Sequence, residues 1–193
     1  MLKKILTKKI KFMKKLITFC LLSLFVFTSN AQELLTYTEV IQVDSVSKNE
    51  LFYRAKNWFV NAFKSSKNVI QNENKENGEI IGKATMKYYP DYFVGSDNTK
   101  GYINYTIKIF VKEGRYKYEF TDFYHEPENK NGHSFGYVTN AVENPKPYSF
   151  SLKSWNRKAW NDLKKEIDIK MKDIIFSLKD GMKVKTEAQN DNW

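Results

Sequence analysis

An alternating hairpin between Tyr102 and Phe123 constrains the fold of this chain most strongly. Residues 102–112 and 115–123 flank Glu113-Gly114, and a loop of two residues fixes which residues lie opposite each other. On one side the predicted pairs are Val111 with Tyr116, Ile109 with Tyr118, and Ile107 with Phe120. On the other they are Lys112 with Arg115, Phe110 with Lys117, Lys108 with Glu119, and Thr106 with Thr121. This pattern predicts an antiparallel sheet with one apolar face and one polar face.

Two amphipathic helices are predicted to cover the apolar face. The first runs over about 48–65, and Ser47 followed by Glu50 forms a capping box at its start. Its apolar stripe consists of Leu51, Ala55, Trp58, Phe59, Ala62 and Phe63. The second runs over about 155–180, with Ser154 as its N-cap and Gly181 after its end. Its stripe consists of Trp160, Leu163, Ile167, Met171, Ile174 and Leu178, which recur at helical spacing.

Three further strands are predicted over 37–43, 69–71 and 79–89, and 125–150 is predicted to be a long irregular connection. In the third strand, Gly82 and Ala84 face inward and leave room for a helix to approach closely. The fold class is therefore α+β: a single antiparallel sheet of about five strands with both helices on one face, in the order β-α-β-β-β-β-α. That order is typical of a TBP-like fold, and a helix-grip fold is the close alternative.

A family resemblance supports this fold. The run from Tyr37 to Trp58, followed by the strand that begins Ile80-Ile81-Gly82-Lys83, resembles the bacterial domain-of-unknown-function family 4468, which has a TBP-like fold and is known mainly from exported proteins of Bacteroidetes. The resemblance is most specific over about 37–90. The family has no assigned activity or catalytic residues, so the resemblance implies the fold and export alone.

Residues 1–31 read as a cleavable signal peptide. They hold seven Lys and no acidic residue, then an apolar run from Leu16 to Phe27, and Ser29-Asn30-Ala31 fits a cleavage site. Met13 is an alternative start. An apolar run of 12 residues is short for a membrane span, which needs about 20. We therefore expect an exported protein, periplasmic or extracellular, with one domain over 32–182, a flexible tail over 183–193, and no transmembrane span in the mature chain.

Composition narrows the chemistry available to the mature chain. The single cysteine, Cys20, lies inside the signal segment, so we expect no disulfide framework, thiolate nucleophile or cysteine metal ligand in the mature protein. The sequence holds no nucleophile elbow, phosphate loop or dinucleotide fingerprint. We therefore predict a protein that is not an enzyme and carries no cofactor.

The histidines are weak candidates for a metal or acid–base site. His125 and His133 lie near Asp122, Glu126 and Glu128 in the predicted irregular connection, and imidazole with carboxylate can bind zinc or transfer protons. Their spacing matches no zinc motif, since the second His comes eight residues after the first. We expect two solvated loop histidines, with a metal-dependent hydrolase as the alternative.

The polar face of the sheet is the more informative candidate. The predicted register assigns six bases to it, opposed by Glu119 alone: Lys83, Lys87, Lys108, Lys112, Arg115 and Lys117. That is a net charge of +5, although the chain after residue 31 has 25 bases and 22 acids. Tyr89, Phe110 and Phe123 interleave with these bases, a composition that suits anionic ligands. The predicted ligand-binding residues are Lys83, Lys87, Lys108, Phe110 and Lys117. The plain alternative is a solvated face that keeps the sheet soluble.

These observations predict a non-catalytic binding or interaction module of the cell envelope. Its expected partner is an anionic envelope component or another protein, and not nucleic acid. A second possibility is a carrier that holds a small apolar ligand between the sheet and the second helix. The aromatic inner face suggests it, namely Tyr105, Tyr116, Tyr118 and Phe120, with the long connection as a lid. Its plain alternative is an ordinary core in which these rings and the helices fill each other.

Overall fold

The structure is a computed structural model and describes residues 32–63, 66–91, 93–149 and 151–184. The predicted signal peptide over 1–31, and the predicted tail beyond Val184, lie outside the described residues. From Glu33 onward the chain is one compact unit. No helix within the described residues is both long enough and apolar enough to span a bilayer.

A six-stranded antiparallel sheet, three α-helices and a short 3₁₀ helix at Ser96–Thr99 make up the described unit. The strands are β1 (Tyr37–Gln42), β2 (Ile70–Asn74), β3 (Glu79–Tyr88), β4 (Gly101–Lys112), β5 (Arg115–Pro127) and β6 (Gly136–Tyr137). The helices are α1 (Lys48–Ala62), α2 (Ser66–Val69) and α3 (Lys153–Gly181). The strand order is β1-β5-β4-β3-β2, and β6 pairs with the far end of β5.

The predicted hairpin register is confirmed at every pair from Thr106 with Thr121 to Lys112 with Arg115. Gly114 has a φ of 68°, which a side chain adopts only at a cost and glycine adopts freely. The inward residues Ile107 and Ile109 are fully buried. The hairpin therefore forms the centre of the sheet.

A β-bulge at Asp122 changes which residues of β5 face the core. Asp122 has a φ of 57°, and the register with β4 shifts at this point. Phe120 and Phe123 are consequently both buried, although they are three residues apart. The prediction that Phe123 lies on the polar face is wrong, because one extra residue reverses the alternation that follows it.

Both long helices lie on the inner face of the sheet, as the stripes predict. α1 packs against β3, β4 and β5, and α3 packs against α1 and reaches Tyr88 of β3. Gly82 is the point of closest approach: a Cβ there would lie 2.7 Å from Cε1 of Phe59 on α1. The small inward residue that the sequence places in β3 is therefore required by the helix above it.

The boundaries of several elements differ from the predicted ones, and the connection predicted to be irregular over 125–150 contains the end of β5 and all of β6. α1 starts at the predicted cap, where Ser47 Oγ accepts the backbone N–H of Glu50, but it ends at Ala62 and is followed by the short α2. The predicted N-cap Ser154 is wrong, since α3 begins at Lys153 after Leu152. The strand predicted at 69–71 is shifted to Ile70–Asn74.

Arg54 forms a buried ion pair within α1 and a hydrogen bond to the end of α3. Arg54 Nε donates to Glu50 Oε1 at 2.8 Å, and the two side chains are 4% and 6% exposed. Arg54 Nη1 also donates to the carbonyl oxygen of Met182 at 3.0 Å. A carbonyl at a helix C-terminus has no partner within its own helix, so the guanidinium satisfies one of these acceptors. Arg54 therefore joins the first long helix to the last residues of the fold.

Candidate functional site

The outer face of the sheet, opposite the two long helices, is the candidate site. β3, β4 and β5 supply the residues that alternate with the buried ones, and these outward side chains are exposed or half-buried apart from the two threonines Thr106 and Thr121. All five predicted binding residues lie on this face. The register separates them into two groups, with the paired threonines between.

Lys108, Phe110 and Lys117 form the first group, near the turn of the hairpin. Phe110 lies directly opposite Lys117, whose ammonium is 5.9 Å from the centre of the ring. Glu119 binds both lysines, with Oε1 at 3.0 Å from Lys108 Nζ and Oε2 at 3.4 Å from Lys117 Nζ. These two hydrogen-bonded lysines lower the pKa of Glu119. Much of the positive charge at this spot is therefore already neutralised.

Lys83 and Lys87 form the second group, on β3. Lys83 is opposite Thr106, and Lys87 is opposite Tyr102 and beside Tyr89. Lys100 also lies over the Tyr89 ring, at 5.2 Å from its centre. Strand residues rise about 3.3 Å each, so the side chains of Lys83 and Lys87 start roughly 13 Å apart. These two lysines approach a ligand from different points along the strand.

The predicted charge of this face needs correction. Glu79, Asp122 and Glu126 also lie on it, since β3 begins at Glu79 and β5 continues past the bulge to Pro127. Among the described residues, β3, β4 and β5 thus carry six bases and four carboxylates here, a net charge of +2. The acidic residues lie mainly on β5, and the bases extend over β3, β4 and the hairpin turn.

A shallow groove near the hairpin turn combines apolar and basic residues. It has a volume of about 500 Å³ and is lined by Val40, Phe110 and Lys117 with Lys112 and Arg115. Lys112 and Arg115 face each other across the hairpin. Like charges in directly opposite positions destabilise a sheet, and an anion bound between them would relieve that repulsion.

Sequence reasoning missed an aromatic group at the other end of the face. Tyr102, Tyr124 and Tyr137 are outward residues of β4, β5 and β6. Tyr124 and Tyr137 pack edge to face with ring centres 4.9 Å apart. The outward-inward-outward alternation of Tyr124, His125 and Glu126 could have predicted a strand here. It is recognised as part of β5 only once the bulge at Asp122 is known.

His125 is a buried structural residue, not a loop ligand. It lies on β5 with no exposed surface, its Nε2 donates to Thr99 O at 2.8 Å, and its Nδ1 accepts the N–H of Phe135 at 3.2 Å. His133 Nε2 donates to Lys146 O at 3.1 Å. Within the described ranges, no three His, Cys, Asp or Glu side chains are grouped to hold a metal ion. The two histidines are thus each engaged with backbone groups.

The buried His125 predicts a loss of stability in mild acid. Burial lowers the pKa of His125 to about 4, whereas a free His has a pKa near 6.5. The unfolded chain therefore takes up this proton first as the pH falls below 6.5, and the folded state is destabilised down to about pH 4. We expect the free energy of unfolding to fall by about 2 kcal/mol between pH 7 and pH 5 from this residue.

Urea unfolding of the wild type and of His125→Asn at both pH values checks this. The variant loses its hydrogen bonds and is less stable throughout, but its stability should change less with pH. Burial also lowers the pKa of His133, so His133→Asn measures that contribution separately. Equal pH dependence in the wild type and His125→Asn would contradict the assignment.

The aromatic residues of the inner face belong to the core. Tyr105 stacks on Phe123 with ring centres 5.6 Å apart, and Phe120 contacts Trp58 of α1 at 6.5 Å. Tyr118 donates its hydroxyl to Glu39 Oε2 at 2.8 Å and lies beneath Lys179 of α3. These rings thus pack against one another and against both long helices, while Tyr116 also lines a pocket of about 290 Å³ between β1 and the end of α3.

Comparisons with known proteins agree with this fold. Residues 37–126 match the family model described as a domain of unknown function (DUF4468) with TBP-like fold. A TBP-like protein from Parabacteroides distasonis is 16% identical over 76% of this chain and 93% of its own, with a TM-score of 0.51. A DUF4468 family protein from Bacteroides ovatus is 14% identical over 75% and 86%, with a TM-score of 0.49. No curated protein matches the chain. The predicted family resemblance and the α+β, TBP-like fold class are confirmed.

Proposed function

Because residues 37–126 of this chain match the model of a family of unknown function with a TBP-like fold, DUF4468, we propose a function from the surface itself. The chain is a non-catalytic binding module of the cell envelope, and the outer face of its sheet docks on an anionic component of that envelope. Export through the lysine-rich segment over 1–31 is part of the proposal. The observation that carries it is the meeting of bases and exposed rings on one open sheet face.

The exposed bases that form no ion pair support an anionic partner. Within the described part of the chain, Lys83, Lys112 and Arg115 make no ion pair, and all three are exposed. Phe110 and Val40 lie beside the last two, and Val40 is 55% exposed. A ligand here would gain charge neutralisation and apolar contact together. If the lysines served solubility alone, there would be no reason to expect grooves and aromatic rings beside them.

The direct test removes four bases of the outer face that form no ion pair among the described residues. We expect the combined variant Lys83→Gln, Lys87→Gln, Lys112→Gln and Arg115→Gln to bind a sulfonated resin at least tenfold more weakly than the wild type. Each base near an anionic surface contributes roughly 1 kcal/mol at low salt. The measurement is the salt concentration that elutes the protein, together with the slope of affinity against salt. Lys108 and Lys117 are left unchanged because both form ion pairs with Glu119.

The matched control removes four bases elsewhere. Lys130, Lys170, Lys172 and Lys183 lie off the outer face, and their replacement by Gln changes the net charge equally. We expect this control to elute close to the wild type. Equal losses in the two variants would show that retention follows net charge alone, and the docking surface would then be abandoned.

A further inference from the structure

A polar groove crosses the outer face at the end away from the hairpin turn. A single row of outward residues forms it, with Thr85 opposite Asn104, Asn104 opposite Tyr124, and Tyr124 opposite Tyr137. The row therefore runs across β3, β4, β5 and β6. Lys83 and Asp122 line the same groove, whose volume is about 430 Å³. We call these six residues the tyrosine groove.

The aromatic ring of Tyr137 is exposed to water and is supported by a second tyrosine. Tyr137 is 56% exposed, and Tyr124 supports it edge to face at 4.9 Å. Exposed aromatic rings are frequent contact residues in binding sites, because each supplies a large apolar area. A pyranose ring, whose C–H bonds make one of its faces apolar, has the size and flatness to stack there.

The polar side chains of the groove are already oriented. Thr85 Oγ1 donates to Asn104 Oδ1 at 2.6 Å, and Asn104 Nδ2 donates to Glu126 Oε2 at 3.1 Å. An amide has two donor hydrogens and two acceptor lone pairs, so Asn104 keeps one donor and one acceptor for a ligand. Such a pair matches a hydroxyl group, which also donates and accepts. Side chains held in place lose little freedom on binding.

The charges lie on opposite sides of this row. Lys83 is on the β3 side, and Asp122 is on the β5 side at the bulge. A carboxylate on the ligand would lie near Lys83, and ligand hydroxyls would donate to Asp122. An anion without hydroxyl groups would meet the repulsion of Asp122 and could use the free donor of Asn104 but not its free acceptor. The arrangement thus favours a sugar that carries a carboxylate over a simple polyanion.

We propose that the tyrosine groove binds a uronic acid unit of an acidic polysaccharide, with the pyranose ring stacked on Tyr137. This rests on the proposed function, because it identifies the anionic component that docks on the outer face. Asn104 and Asp122 bind the sugar hydroxyls, and Lys83 binds the carboxylate. Lys112 and Arg115, in the groove near the hairpin turn, attract the negative charge of a neighbouring part of the same polysaccharide.

The test compares two soluble polyanions in affinity electrophoresis of the full chain. Alginate is a polymer of uronic acid pyranoses, and polyacrylate has the same carboxylates without sugar rings. We expect alginate to bind at least tenfold more tightly at equal carboxylate concentration. Tyr137→Ala should weaken alginate binding about tenfold and leave polyacrylate binding unchanged, whereas Tyr137→Phe should retain both. Tyr53→Ala, an exposed tyrosine of α1, is the matched control.

The outcomes separate this inference from the proposed function. Equal binding of both polymers, with no effect of Tyr137→Ala but a loss in the four-base variant, would refute the sugar site and retain the docking surface. Binding to vesicles that contain phosphatidylglycerol, without binding to alginate, would also refute the sugar site and identify a lipid headgroup. No binding to any polyanion would refute both. Thermal unfolding of each variant confirms that it is folded. Asn104→Ala is a second variant, and it should also weaken the binding of alginate but not that of polyacrylate.

Discussion

Replacement of Arg54 by Met should destabilise the fold by about 3–5 kcal/mol, because it removes the guanidinium that binds the buried carboxylate of Glu50. The carbonyl of Met182 loses a hydrogen-bond donor in the same variant. Few surface changes approach this cost, and a domain of this size has a total stability of only about 5–15 kcal/mol. Urea unfolding followed by tryptophan fluorescence gives the free-energy difference from the wild type.

Two comparisons make this result specific. Lys56→Met breaks an ion pair of the same helix with Glu73, but both side chains are 41% exposed, and exposed pairs contribute about 0–1 kcal/mol. The double replacement Glu50→Leu with Arg54→Met removes both buried charges and should recover most of the lost stability. A single Arg54→Met variant as stable as Lys56→Met would contradict the role of this pair.

The largest loss from a core side chain is expected at Trp160. It is fully buried, its ring lies 6.0 Å from that of Phe135, and its Nε1 donates to Ala141 O at 2.9 Å. Trp160→Ala should therefore cost about 3–5 kcal/mol through lost burial and the cavity it leaves. It should also loosen the connection over 138–149, because Ala141 O loses the donor that Trp160 provides and keeps Lys164 Nζ. Hydrogen exchange of that connection, measured beside urea unfolding, detects both effects.

Phe176 on the same helix provides the control for this variant. Its side chain is 73% exposed, so Phe176→Ala should change the stability by no more than about 0.5 kcal/mol. Trp160→Phe keeps most of the buried area and should lie between the two. Hydrogen exchange in the connection that is unchanged by Trp160→Ala would show that other contacts hold it.

Much of the fold could be predicted because local patterns were strong and mutually consistent. The Glu113-Gly114 turn determines the hairpin register, and the register determines which side of the sheet is apolar. Two long apolar stripes then had to cover that side. The helix ends were less predictable, since Leu152 precedes α3 without any side-chain cap and tertiary packing sets its start.

The candidate site was less accessible to prediction because it depends on one irregular residue. Asp122 adopts a left-handed conformation, which Asp tolerates better than most residues but which no period of two reveals. Beyond it, Phe123 and His125 point inward, and Tyr124 and Glu126 point outward. Pro127 suggested a loop. At the last residue of β5, however, its missing N–H does not interrupt the pairing of the strand. The lysines and Tyr89 were therefore identified, and Tyr102, Tyr124 and Tyr137 were not.

The bond between Arg54 and Met182 also bears on the order in which the protein can fold. Its two ends are 128 positions apart, and the edge strand β1 pairs with β5 across 73 to 83 positions. Such distant contacts slow folding, because a long loop must close before any of them forms. A nascent polypeptide that has not yet reached α3 leaves the guanidinium without its acceptor carbonyl and the sheet with only α1 as its long covering helix. The native state is therefore withheld until translation of the domain is almost finished.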